Sequence, residues 1–291
     1  MRREGDGTRE ANHHASAYAV IWRVVTAILI AVSGGSMPVI LAVAVVATDP
    51  PVTLPLLLRL VVALTLLPWL AARLIARACA VTIEIGAAEF ALRGRNARLE
   101  IPFRSIGRIV PWRLPLPGAG LSLWMRSGQR LSYGLQAADP AVLLAAIADA
   151  GRVDAARAAM RHPTLVYAHA KQSARRWHWS HLLFKFPLFG LLPTAVLFNA
   201  HQHIAYGGTW GQYYLYGPMP YLVTLAAYWI TTTIYLVLYA SVWRGLAEGA
   251  ALFSAWVAPA HAARARRVAE AACRVLYYAG VPLLLAFRFL T

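Results

Sequence analysis

Val81 to Gly151 reads VTIEIGAAEFALRGRNARLEIPFRSIGRIVPWRLPLPGAGLSLWMRSGQRLSYGLQAADPAVLLAAIADAG. It is the one long stretch of the chain with the pattern of a water-soluble domain. Leu99, Ile101 and Phe103 alternate with Arg98, Glu100 and Pro102, the period of a half-buried strand. Leu121, Leu123 and Met125 repeat the pattern, as do Leu131, Tyr133 and Leu135. Ser127-Gly128 lies between these last two runs, and Arg93-Gly94-Arg95-Asn96 follows Glu89-Phe90-Ala91-Leu92. Both suit tight hairpins, because glycine and asparagine tolerate positive φ. Asp139-Pro140 then offers an N-cap and an N1 proline, Ala141 to Ala150 favours helix, and Gly151 can cap its end. The pattern predicts antiparallel strands closed by one helix. Its expected core is Phe90, Leu92, Leu99, Ile101, Phe103, Leu123, Leu131, Leu135, Leu143 and Leu144.

Outside this stretch the chain turns apolar. It is 59% hydrophobic and 14% charged over 291 residues, far from the balance of a soluble protein. Val20 to Ala47, Leu54 to Ala76, Leu182 to Ala200 and Tyr221 to Trp243 form apolar runs, each close to or above the ~20 residues a spanning helix needs. In the first run Arg23 can snorkel to headgroups, Gly34-Gly35-Ser36 can permit close helix packing, and Pro38 can kink the helix. Arg59 either snorkels or pairs with Asp49 in the short Thr48 to Pro51 turn. Val275 to Leu290 is only sixteen residues and contains Pro282; it is expected to be interfacial or re-entrant, with a fifth span as the alternative. Residues 1–17 are then a polar cytoplasmic tail, 18–80 and 182–244 two transmembrane hairpins, 81–151 the module, 152–181 a basic linker helix broken at His162-Pro163, and 245–291 cytoplasmic or interfacial helices.

The net charge of +16 is carried mainly by arginine. In a soluble protein it would suggest nucleic acid; here the positive-inside rule explains it, and no nucleic-acid partner is expected. That rule puts the N-terminus and the module in the cytoplasm of a multi-pass inner-membrane protein, with Asp49 and Trp210 outside. Cys79 and Cys273 match no metal or redox spacing and are expected to be free thiols.

Val81-Thr82-Ile83-Glu84-Ile85 as first strand, the segment Ile101 to Ile106, the Ser127-Gly128 hairpin and the helix after Asp139-Pro140 together resemble the bacterial pleckstrin-homology-like domain family. The resemblance covers about a quarter of the chain and rests on patterns rather than invariant residues. It implies a small, partly open antiparallel β-barrel capped by one C-terminal helix, next to hydrophobic helices, and it implies no reaction. The expected fold class is thus membrane α-helical, two transmembrane hairpins, plus a small α+β module.

Candidate sites are few. His178 and His181 are one helical turn apart and His201 and His203 flank Gln202. About 28 Å of helix separates the pairs, so they cannot share a metal, and neither a metal ligand set nor a cofactor is expected. The stretch Asn199 to Pro218 has no charged residue and groups His201, His203, Tyr206, Trp210, Gln212 and Tyr213 among glycines; it is a candidate ligand or partner patch, with an aromatic belt as the alternative. Glu248 can pair with Arg244 at i, i+4. Arg73, Arg77, Arg175, Arg176, Lys185, Arg264, Arg266 and Arg267 are candidate contacts for anionic headgroups. No Walker loop, Ser-His-Asp order or paired carboxylate site is found. The expected function is non-catalytic: a scaffold, sensor or assembly factor whose module docks a partner protein or a second copy. The alternative is a membrane enzyme or small-solute carrier using the patch at 199–218.

Overall fold

The computed structural model describes residues 11–46, 52–95, 97–151, 153–172 and 179–290. They form two compact units. One takes its residues from 1–33, 67–174 and 251–265, the other from 34–66, 175–250 and 266–291.

The first unit is built on an antiparallel sheet of seven strands: β1 Ala11–Ala19, β2 Ala80–Ile85, β3 Glu89–Arg93, β4 Arg98–Pro102, β5 Ile106–Pro111, β6 Gly120–Met125 and β7 Arg130–Ala137. Their order is β4-β3-β2-β1-β7-β6-β5, an open sheet with β1 at its centre. This corrects the expectation of a polar tail over residues 1–17 for its part from residue 11 on; residues 1–10 lie outside the described residues. Ala15 pairs with Val81 on one side and Ala17 with Leu135 on the other. The pattern was missed because the core-facing positions are alanines, which are poor strand signals. Ala15 and Ala17 nonetheless pack into the core, and Tyr18, on the other face, is 1% exposed.

Both predicted hairpin turns are present, and Gly128 has the expected positive φ of 81°. Ile83, Phe90, Ile101, Leu121, Leu123 and Leu135 line the core with Leu143, Leu144 and Ile147. Phe103 is buried, yet it opens a 3-10 turn instead of ending a strand. Leu99 is a correction: β4 is the sheet edge, with no neighbour beyond it, and Leu99 stays 39% exposed. Leu131 is only partly buried and Tyr133 is exposed.

Helix α1, Val20–Val46, starts directly after β1, and helix α2, Leu54–Ala78, ends one residue before β2. The junction is pinned where Ala17 donates its N–H to the Cys79 carbonyl at 2.8 Å. Helix α3, Pro140–Gly151, is capped as expected, Asp139 Oδ1 accepting from Ala141 N at 3.0 Å. Gly151 is itself helical and serves packing rather than capping, since a Cβ there would collide with the Phe103 ring. Of the expected linker helix at 152–181, residues 153–172 are instead part of the first unit, 179–181 begin the helix Trp179–Tyr206, and the rest lie outside the described residues. Helix α4, Asp154–Ala159, and helix α5, Pro163–Gln172, break at His162 as predicted, and bury Ala156, Ala159 and Leu165 in the same core. Tyr167 of α5 packs on Ala251, Ala255 and Ala262.

The second unit is helical: α6 Trp179–Tyr206, α7 Gly211–Tyr216, α8 Pro218–Val257 as far as residue 250 and α9 Ala262–Leu290 from residue 266, with residues 34–46 of α1 and 54–66 of α2. Among the described residues four helices, α1, α2, α6 and α8, are long and apolar enough to cross a membrane. Val275 to Leu290 is no separate short segment; it is the second half of the 29-residue α9. Gly34 and Gly35 face open space, so they make no close packing contact. The adjacent Ser36 hydroxyl does the joining: it shares a 2.9 Å hydrogen bond with Thr65 Oγ1 and reaches the Leu64 carbonyl at 3.1 Å. Asp49, the expected partner of Arg59, lies outside the described residues.

Ile83→Ala should destabilise the sheet by about 2–5 kcal/mol as a buried large-to-small change, while Leu99→Ala should cost about 0.5 kcal/mol or less as an exposed one. Denaturant unfolding of the detergent-solubilised chain, followed by circular dichroism, would show the contrast. An isolated Val81 to Gly151 segment, lacking β1, should show no cooperative transition.

Candidate functional site

The patch predicted at 199–218 is not a loop. Helix α6 continues through Tyr206 and stops where Gly207 adopts φ 72°, its N–H bonding the His203 carbonyl and that of Gly208 the Gln202 carbonyl. A turn leads into α7, whose first residue, Gly211, packs against the Tyr206 carbonyl where no side chain would fit. Gly217, at φ 84°, then releases the chain into α8. Glycine is needed at 207 and 217 because L side chains rarely adopt such φ values.

These turns fold the uncharged amides onto each other. Gln202, 0% exposed, donates through Nε2 to Gln212 Oε1 at 2.8 Å, and its own Oε1 accepts from the Gln212 backbone N–H at 3.3 Å. Gln212, also buried, donates to Thr224 Oγ1 at 2.9 Å and to the Pro220 carbonyl at 3.4 Å. Around this pair runs a chain of rings. Trp210 stacks on Tyr221 at 5.3 Å, and Tyr213 meets both. Phe198 bridges Tyr221 at 5.0 Å and Tyr228 at 5.9 Å. His201 sits against Tyr228 and Tyr206.

The expected patch therefore divides. Trp210 and Tyr213 converge through Tyr221, and His201 and Tyr206 converge beside Tyr228. Gln212 is buried beneath as a structural group. His203 is exposed and donates Nδ1–H back to the Asn199 carbonyl at 2.9 Å; the Gly207-Gly208 turn does not bring it to Trp210. Sequence reasoning missed Gln202, Phe198, Tyr221, Thr224 and Tyr228. A usable signal was present: Tyr221 and Tyr228 are two helical turns apart, so both present rings to one neighbour.

The basic residues also separate. Arg73, Arg77, Arg264 and Arg267 are exposed, while Arg175, Arg176 and His178 lie outside the described residues. Lys185 is half-buried, its Nζ over the Tyr277 ring at 4.6 Å and over Phe186 at 5.2 Å, so its charge is held against rings. Arg266 is a correction. It is buried and holds Glu248 with two bonds, Nη2 to Oε1 at 2.9 Å and Nη1 to Oε2 at 3.2 Å, while its Nε donates to Glu270 at 2.9 Å. Burial alone would lower the Arg266 pKa, but the two carboxylates outweigh it and raise it above its ordinary value. The Glu248 partner expected from spacing was Arg244; the bidentate one is Arg266. Among the described residues no group of three His, Cys, Asp or Glu side chains could hold a metal ion.

Gln202→Leu should cost about 1–3 kcal/mol by leaving Gln212 buried and short of a partner, and Gln202→Leu with Gln212→Leu should cost less than the sum. A thermal-melt double-mutant cycle in detergent measures both. Glu248→Ala, which leaves the buried Arg266 guanidinium with Glu270 alone, should cost about 1–3 kcal/mol, read in the same melts.

No family model, curated protein or solved structure matches the chain.

Proposed function

We propose that this chain is a non-catalytic bacterial inner-membrane protein, a scaffold, sensor or assembly factor, with a pleckstrin-homology-like module facing the cytoplasm that docks a partner protein or a second copy. The observation that carries this reading is the place of two apolar helices, α1 and α2, between β1 and β2 of the sheet in chain order. A module whose central strand is continuous with a membrane helix cannot be detached from the membrane, and a change in either is felt by the other. That is the construction expected of a device that reports or assembles rather than one that turns over a substrate. The family resemblance is supported by the strand order β4-β3-β2-β1-β7-β6-β5 and by α3 closing against the inner face. The orientation is supported by exposed Arg73, Arg77 and Arg264 on the module side of their helices, against a turn at 207–217 with no Lys or Arg.

Trp210→Cys should be labelled by a membrane-impermeant thiol reagent in intact cells, and Ser127→Cys only after permeabilisation, each in a background without Cys79 and Cys273. Affinity purification in mild detergent should return a second polypeptide or a dimer in stoichiometric amount. A monomer carrying stoichiometric metal or haem would favour a membrane enzyme instead.

A further inference from the structure

A groove of about 620 Å³ opens in the first unit between the start of α1 and the β5–β6 side of the sheet. Its helix wall is Arg23, Val24, Ala27, Ile28 and Ala31, one face of α1 by spacing. Its floor is the indole of Trp112. That ring lies flat on two glycines: a Cβ at Gly120 would come within 2.7 Å of it, and one at Gly134 within 2.6 Å. The Arg23 guanidinium covers the ring from the helix side, 4.6 Å from its centroid. Arg113 and Arg130 also line the groove, and among the described residues no acidic one does.

Ser122, buried in the wall, accepts the Trp112 indole N–H at 3.2 Å and Arg130 Nη2 at 3.2 Å. Both lone pairs of its oxygen are then used, which leaves the hydroxyl proton to donate. One end of the groove thus brings Arg23, over Trp112, and Arg130, on Ser122, together beside a spare O–H. The other end is apolar: Val24, Ile28, Leu114 and Leu116 are all exposed. From Arg23 to Ala31 the helix rises about 12 Å, along a helix apolar enough to cross a membrane.

We propose that this groove is a binding site for one anionic phospholipid. The phosphate sits between Arg23 and Arg130 with Ser122 donating, and an acyl chain lies along Val24 and Ile28. Charge complementarity selects an anionic headgroup, since two neighbouring cations repel each other until an anion joins them. The apolar end, continuous with the exposed face of α1, selects a lipid over free phosphate. The site is distinct from the exposed arginines of α9: it is walled, and it joins the central strand's own helix to the sheet. A lipid bound there would bridge α1 and the β5–β6 side.

The test is native mass spectrometry of the full chain, purified in mild detergent and offered phosphatidylglycerol or phosphatidylcholine. The wild type should retain one phosphatidylglycerol and no phosphatidylcholine. Arg23→Gln with Arg130→Gln should weaken retention about thirty-fold, the attraction of two basic residues for an anionic lipid, while Arg264→Gln with Arg267→Gln should retain it. Ile28→Trp, which keeps every arginine and fills the apolar end, should also lose the lipid. It decides the matter if the arginine variant fails to fold, as judged by its melting curve. Equal retention by wild type and Ile28→Trp, equal retention of phosphatidylcholine, or complete displacement by excess inorganic phosphate would each overturn the proposal.

Discussion

The whole sheet depends on the ladder that β1 makes with both its neighbours. Remove that strand and the order β4-β3-β2-β1-β7-β6-β5 falls into two three-stranded pieces with facing raw edges. Those edges expose unpaired backbone groups that must be satisfied inside a domain. The strand is suited to its place by what it lacks. Ala15 and Ala17 are small, so helix α3 can rest on the flanking strands β2 and β7 and drive Leu143, Leu144 and Ile147 into the core. A bulky side chain at either position would lift the helix off the sheet. The core is therefore tuned around a strand that contributes little apolar area of its own and nearly all of the connection.

Because β1 passes straight into α1, and α2 returns to β2 through Cys79 alone, the strand pairing and the two apolar helices constrain each other. The register Ser16↔Ala80 sets how far each helix emerges from the sheet, and a slip of one residue would turn every side chain to the wrong face. The same arrangement orders folding. Residues 11–19 are made first but can pair only after β2, and complete their ladder only after β7. The non-local pairing is costly in loop entropy, and the unpaired strand is exposed meanwhile. Placing polar His13, His14 and Ser16 on such a strand lowers its tendency to pair with the wrong chain.

Much of this was legible. The alternation at 98–103 and 121–135, the Ser127-Gly128 turn and the Asp139-Pro140 start each rest on local rules, and the corresponding strands, turn and helix form where those rules put them. The apolar runs were plain for the same reason. What failed depended on distant residues. Nothing near Ala11–Ala19 announces a strand, because its partners are sixty or more residues away. Residues 154–172 look like a basic linker until Ala156 and Leu165 are seen to face Ile109 and Leu143 in one core. At the patch, aromatic and polar residues were recognised by type, and the turns at Gly207 and Gly217 then sorted them. Gln212 went inward, Trp210 joined a ring, and His203 stayed out. The partner of Glu248 was missed because helix-face spacing points to i, i+4, whereas Arg266 arrives from another helix.

The helices of the second unit show how such a chain selects its own neighbours. Between apolar helices in lipid, a leucine gains little by leaving an acyl chain for another leucine. Apolar faces alone would pack in many ways. Here the helix pairs are marked by polar groups that bond across from one helix to the next. Ser36 of α1 finds Thr65 of α2. Thr194 of α6 meets Thr232 of α8 at 2.6 Å, a close approach helped by Gly190, where a side chain would crowd Thr233. Two carbonyls in the π-helical turn of α6 at 184–188 are taken from other helices, Lys185 by Tyr277 of α9 and Pro187 by Trp229 of α8. A proline and a widened turn would ordinarily weaken a spanning helix. In a medium without water, the freed carbonyls instead specify who must stand beside it. The Arg266–Glu248 pair adds the same instruction in ionic form between α9 and α8. The local irregularities of these helices therefore favour this packing, because a different set of neighbours would have to replace each of these bonds.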